Sequence, residues 1–195
     1  MTDQANRTNP NPDDSPTRVV TGVVRLSYAN LWEPKAIKDG KPKYGASLII
    51  PKSDTKTLAK INAAIEAAYH EGETKLKGSG KTVPPLSSLR IPLRDGDIAR
   101  PDDEAYAGSY FVNANSVTAP GIVDKARETI LERSQIYSGV YARAAVNFYA
   151  YNHKGNRGIA CGLNNIQKLR DGEPLGGKPR AEDDFADDED DDFLF

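Results

Sequence analysis

One stretch limits the possible folds more than any other. From Val140 to Tyr151 apolar residues recur at every second position, with mostly polar and aromatic ones between them. After Asn152-His153-Lys154-Gly155-Asn156-Arg157, a second such stretch runs from Gly158 to Leu169. A period of two is that of a strand with one buried face, and the Gly and Asn residues between the stretches tolerate the positive φ of a hairpin turn. Val140, Ala142, Ala144, Val146, Phe148 and Ala150 make one face, which can only be core. Ile159, Cys161 and Leu163 face inward from the partner strand. A sheet must therefore form, and its remaining strands are sought upstream.

Val19–Tyr28 reads as a strand with Val20, Val24, Leu26 and Tyr28 on its core face. Tyr44–Ile50 reads as a second strand closed by Pro51, and Tyr110–Asn115 as a third. Between the second and third, Leu58, Ile61, Ile65, Ala68 and Tyr69 recur at helical spacing after Asp54, a plausible N-cap, and stop at Gly72. The segment 73–109 is rich in Gly, Pro and charge and shows no sustained period, although Leu89–Leu93 fits a short strand. Ile122–Leu131 fits either a short helix or an ordered loop. The economical architecture is mainly β with α insertions: a five-stranded antiparallel barrel, one amphipathic helix after strand two, and a long irregular insertion. Closure would also remove exposed strand edges.

Charge divides the chain in the same way. The net charge is −2, yet residues 181–195 carry nine carboxylates and no base, and Arg18–Arg180 sums to +9. A basic body attracts polyanions, and an acidic end can compete for the same surface. The polar residues 1–17 lack the apolar surface to order themselves, so three regions are expected: a disordered arm 1–17, a domain 18–177 and a disordered acidic tail 178–195. The arm lacks the apolar stretch of a secretory signal and no run suffices for a membrane span. One cysteine, Cys161, allows no internal disulfide. A reducing, cytoplasmic setting is the expectation.

The outward face of the hairpin's first strand carries Tyr141, Arg143, Ala145, Asn147, Tyr149 and Tyr151, beside the small Ala160 and Gly162 of its partner. Such rings suit the stacking of nucleobases, worth about 1–3 kcal/mol per base. They also suit packing against the long loop or a second subunit. Arg25, Trp32, Lys35, Lys38, Lys41 and Lys43 around the first loop, with Lys154 and Arg157 at the hairpin tip, would border the same face and follow phosphates, unless they are merely solvated. The tail ends on Asp190, Asp191, Asp192, Phe193 and Phe195. Solubility alone does not favour an apolar tip, whereas a motif that seeks a basic groove and an apolar pocket does.

Catalytic signatures are weak. Gly78-Ser79-Gly80-Lys81-Thr82 imitates the end of a P-loop, but Lys75 stands where its first glycine belongs. Asp95, Asp97, Asp102, Asp103 and Glu104 lie in a Gly/Pro-rich loop with no evident general base for a magnesium nuclease. His70 and His153 are isolated, and no cofactor is expected.

The strings NLWEPKAIKDGKPKYGASLIIPKSD (30–54), GSYFVNANS (108–116) and YSGVYARAAVNFYAYNHKGNRGIACGLNNIQKLRDGEPLGG (137–177), followed by the acidic end, resemble the phage single-stranded DNA-binding protein family. The resemblance implies an OB-fold core, sequence-independent binding of single-stranded DNA, no enzymatic activity, and a role in phage DNA replication or recombination. The tail is similar to those through which other replication single-strand binders recruit phage or host replication proteins. Phe195 matches that pattern, while the proline that precedes the last residue in bacterial examples is absent. A metal-dependent nuclease acting on single strands and a replication scaffold are the alternative classes.

Overall fold

A computed structural model describes residues 14–36 and 40–176. Its strands are β1 (Arg18–Val20), β2 (Val24–Lys35), β3 (Lys43–Pro51), β4 (Leu93–Asp95), β5 (Ser109–Ser116), β6 (Gly121–Val123), β7 (Tyr141–His153) and β8 (Asn156–Arg170). The helices are α1 (Thr55–Glu71), α2 (Glu73–Lys77) and α3 (Gly96–Ala99).

Five strands pair in a ring, β2 with β3, β3 with β5, β5 with β8, β8 with β7, and β7 back with β2. This is the expected OB-type barrel with one correction. The β5–β8 contact, Ala114 opposite Cys161 and Asn115 opposite Gly162, is parallel. Five is an odd number, so strand directions cannot alternate all the way round and one contact must be parallel. Inside the ring, Val140, Ala142, Ala144, Val146, Phe148 and Ala150 meet Ile159, Cys161 and Leu163, all buried as the alternation required. The hairpin turns on Lys154 (φ 50°) and Gly155 (φ 82°), two left-handed residues between the paired His153 and Asn156.

α1 begins where Asp54 Oδ1 accepts the Thr57 amide at 3.1 Å and ends at Gly72, whose N–H donates to Ala68 O at 3.0 Å. It buries Ile61, Ala64, Ile65 and Ala68 and packs on β7. A Cβ at Gly72 would collide with Ala150, so this end needs glycine.

Three local expectations change. Val19–Tyr28 is not one strand: the chain breaks around Gly22, whose N–H donates to Thr57 Oγ1 at 2.9 Å and which has no room for a side chain beside Asp54. The break shifts the phase, so Val19 and not Val20 is buried. Tyr28 leaves the core face because β2 bulges between Ser27 and Asn30, with Tyr28 at φ 46°. Ile122–Leu131 holds no helix: β6 pairs in parallel with β8, and Val123 then bridges Thr129. The short strand expected at Leu89–Leu93 starts at Leu93, because Leu93–Asp95 pair with Val112–Tyr110 of β5 while Arg90 bridges Gly158 of β8. Residues 90–95 thus fill the opening where β5 and β8 diverge.

The start of the insertion, α2, packs on β7, and residues 96–108 fold over the outside of β3 and β5. Tyr106 and Phe111 meet edge to face, with ring centroids 5.0 Å apart, and with Ile49 they form a small second core on which Leu175 packs. Thr17, the last residue of the arm, is tied to the sheet: its O accepts the Phe148 amide at 2.9 Å. No helix among the described residues is long and apolar enough to cross a membrane.

Candidate nucleic-acid interface

The outer face of β2, β3 and β5 forms a groove of about 510 Å³. Its floor is low because β3 presents Gly45 and Ser47. A Cβ at Gly45 would strike Asn115 Oδ1, so the Asn115 amide of β5 lies flat across the glycine. Asn30 and Asn113 extend this amide floor, and Tyr28 forms a wall, more than half exposed. At the open end Lys35 and Lys43 are direct cross-strand partners. Like charges placed opposite each other in a sheet repel, and no carboxylate pairs with either among the described residues. An anion between them would relieve the repulsion.

The insertion supplies the opposite wall. The Arg100 guanidinium lies 5.0 Å from the Tyr28 ring centroid and donates from Nη1 to Tyr28 Oη at 3.1 Å. The same guanidinium lies 5.3 Å from the Tyr106 centroid and 5.9 Å from that of Phe111. Tyr106 Oη donates to the buried Ser47 Oγ at 3.0 Å, fastening the second core to the groove floor. A latch holds the insertion to the end of β3: Lys52 Nζ reaches Asp97 Oδ2 at 2.7 Å and Asp95 at 3.0 Å, and the Gly108 amide donates to Asp97 Oδ1 at 2.9 Å. The hydrogen bonds from Asp97 and Asp95 raise the Lys52 ammonium above its ordinary range, and Lys52 followed by the Gly108 amide holds the Asp97 carboxyl low. Two of the carboxylates considered for a metal site thus serve as an anchor.

The residues expected from sequence to form one surface divide into separate groups. Lys35 and Lys43 line the groove, and Lys41 is exposed in the same loop. Lys38 lies outside the described residues, as do Asp190, Asp191, Asp192, Phe193 and Phe195. Trp32 is half-buried against the main core, its indole Nε1 enclosed without a partner among the described residues. Arg25 braces the C-terminal segment, donating from Nε to Gly139 O at 3.2 Å and from Nη2 to Glu173 O at 2.7 Å. Tyr141 is occupied: the Arg170 guanidinium lies 3.6 Å from its ring centroid, Arg25 lies 5.4 Å from it, and Gly172 packs on the ring. Arg143 donates from Nε to Thr21 O at 3.0 Å.

Tyr149 remains open at 44% exposure beside Ala160, and partial burial, then Cys161 and Tyr151, raise its phenol above the ordinary range. Tyr151 lies against Gly158 next to Arg90. Lys154 occupies the hairpin turn. Arg157 lies beneath it with Nε enclosed and unpartnered among the described residues. In a five-strand ring β7 and β8 stand across from β3, so Tyr149 and the groove look in different directions. Tyr28, Asn30, Ser47, Arg100, Asn113 and Asn115 escaped the sequence reading. The bulge that turns Tyr28 outward has no sequence mark, and Arg100 lies in a segment without a period.

Fold and groove together define a barrel of the oligonucleotide- and oligosaccharide-binding class. The family model described as Enterobacter phage Enc34, ssDNA-binding protein, matches residues 17–194, and the chain belongs to that family. It is 32% identical over 162 residues to protein p50 of Acyrthosiphon pisum secondary endosymbiont phage 1, covering 79% of this chain and 84% of that one. Among solved structures it is similar to the single-stranded DNA-binding protein from bacteriophage Enc34 in complex with ssDNA (26% identity, TM-score 0.65, 82% of this chain and 90% of that one). It also shares its fold with gp2.5, a single-stranded DNA-binding protein encoded by bacteriophage T7 (16% identity, TM-score 0.57, 91% and 97%).

Proposed function

We propose that this chain is a non-enzymatic phage protein that coats single-stranded DNA without sequence preference during replication or recombination in the host cytoplasm. The observation that carries the reading is the Lys35–Lys43 couple, without a carboxylate partner among the described residues, at the mouth of a groove lined by Tyr28 and Arg100. The lysines neutralise phosphates, a base stacks on the open side of Tyr28, and the Asn30, Asn113 and Asn115 amides meet base edges of any identity. Family membership and the likeness to an Enc34 protein solved with ssDNA support it.

In the same reading the acidic tail competes with DNA and recruits replication proteins through Asp190–Asp192, Phe193 and Phe195. Support comes from the segment before it. The Leu175 amide donates to Ser138 O at 2.8 Å and its side chain packs on the second core, which Tyr106 joins to the groove floor at Ser47. Titration with oligo-dT tests the reading: it should quench Trp32 and tyrosine fluorescence, weaken steeply with salt, persist in EDTA, and exceed the response to duplex DNA. Equal binding of duplex, or magnesium-dependent shortening of the oligonucleotide, would refute it.

A further inference from the structure

The groove accounts for one group of cations and the hairpin tip for another, on different sides of the ring, and the insertion runs between them. Residues 90–95 plug the opening between β5 and β8, pairing with both. That plug carries two exposed arginines, Arg90 and Arg94, neither with a carboxylate partner among the described residues.

Their neighbours link the two groups. The Arg94 guanidinium lies 5.4 Å from the Phe111 ring centroid, and Arg100, which covers Tyr28 in the groove, lies 5.9 Å from the same ring. At the other end, a methyl added at Gly158 would meet both Arg90 Cβ at 3.0 Å and the Tyr151 hydroxyl at 2.9 Å. Tyr28, Arg100, Phe111 and Arg94 therefore run outward from the groove, and Arg90 adjoins Tyr151 on the far side of the plug. Four residues of chain span at most about 13 Å, so the two arginines lie close enough for one strand to meet both.

Building on the groove reading, we propose that Arg90 and Arg94 form a phosphate track that carries single-stranded DNA out of the groove, over the β5–β8 opening, to the hairpin face that bears Tyr151 and Tyr149. Sequence-independent grip on a long strand requires such spaced cations, and arginine supplies them with a fork that matches phosphate. The track also gives the irregular insertion a use beyond closing the barrel.

The test is the double variant Arg90→Gln/Arg94→Gln in the full chain, titrated with oligo-dT of about five and about twenty nucleotides, lengths that bracket an OB-fold site. Both side chains are exposed and neither has a carboxylate partner among the described residues, so circular dichroism should stay unchanged and the melting midpoint should move by no more than the loss of the Arg94–Phe111 contact. Affinity for the short oligonucleotide should hold, affinity for the long one should fall about tenfold at low salt, and the slope of log affinity against log salt should lessen by about 0.7 per arginine removed. Arg90→Lys/Arg94→Lys should restore the slope. Lys35→Gln/Lys43→Gln serves as the groove control and should weaken both lengths. If the arginine variant matches the parent on the long oligonucleotide while the control weakens both, the track is overturned and the groove stands. If neither variant alters binding, both fall.

Discussion

Tyr28 shows how one backbone angle can decide what a side chain does. Alternation assigns it to the core, but φ 46° at a bulge turns it outward against Arg100. A residue other than glycine in the left-handed region costs about 1–3 kcal/mol, a strain that Gly at this position would release. The substitution also removes a cation–π contact worth about 0.5–2 kcal/mol, so the two effects offset. Tyr28→Gly should therefore leave the melting midpoint nearly unchanged while affinity for oligo-dT falls by the stacking energy of one base, about 1–3 kcal/mol, or about 5- to 150-fold. Lys43 poses the complementary case. Lys43→Gln should stabilise the free protein slightly by relieving repulsion from Lys35, by a few tenths of a kcal/mol up to about 1, and weaken DNA binding. Thermal melts with and without oligo-dT would show the opposite signs.

At the level of elements, legibility followed periodicity. The hairpin β7–β8 and helix α1 were readable because burial repeats every two residues in one and every three or four in the other. The parallel β5–β8 contact follows from the odd number of strands in the ring. The bulge in β2, the break at Gly22 and the folding of the insertion were not readable, because each depends on a distant partner: Thr57 for Gly22, Ser47 for Tyr106, Lys52 for Asp97. The Lys52 latch gives this element its own pH dependence. Asp97 has a depressed folded pKa, so its contribution is present above the unfolded carboxylate value of about 3.9 and is lost as pH falls through the folded one. Lys52 is raised, so its contribution is complete below the ordinary lysine value of about 10.4 and declines only as pH rises beyond it. Between those limits residues 96–108 should resist amide exchange. Below about pH 4 their protection factors should fall towards one, with β7 and β8 still protected. Lys52→Met should produce the same local loss at neutral pH, and protection of 96–108 unaffected by either change would refute the latch.

Across the whole molecule the decisive feature is segregation of charge, +9 in Arg18–Arg180 against nine carboxylates in 181–195. That much the sequence shows outright. It cannot show that Arg25, Tyr141 and Arg143 are engaged in holding the protein together, because their partners are backbone carbonyls, a glycine and another arginine, none of which marks a pair in sequence. What stays open at the surface is the groove at one side and Tyr149 at the other, and Leu175 packs on the second core that joins the first. An acidic segment tethered there acts as a concentrated polyanion whose effect depends on screening. The Debye length is about 10 Å at 0.1 M salt and about 3 Å at 1 M. Removing residues 181–195 should therefore tighten oligo-dT binding at low salt, and the advantage over the full chain should shrink toward zero as salt rises. Phe195→Ala keeps every side-chain carboxylate. If competition is electrostatic alone, this variant should bind DNA like the parent. If the terminal ring must also be seated, it should bind like the truncated protein, and the size of the difference measures what the ring adds to the charge.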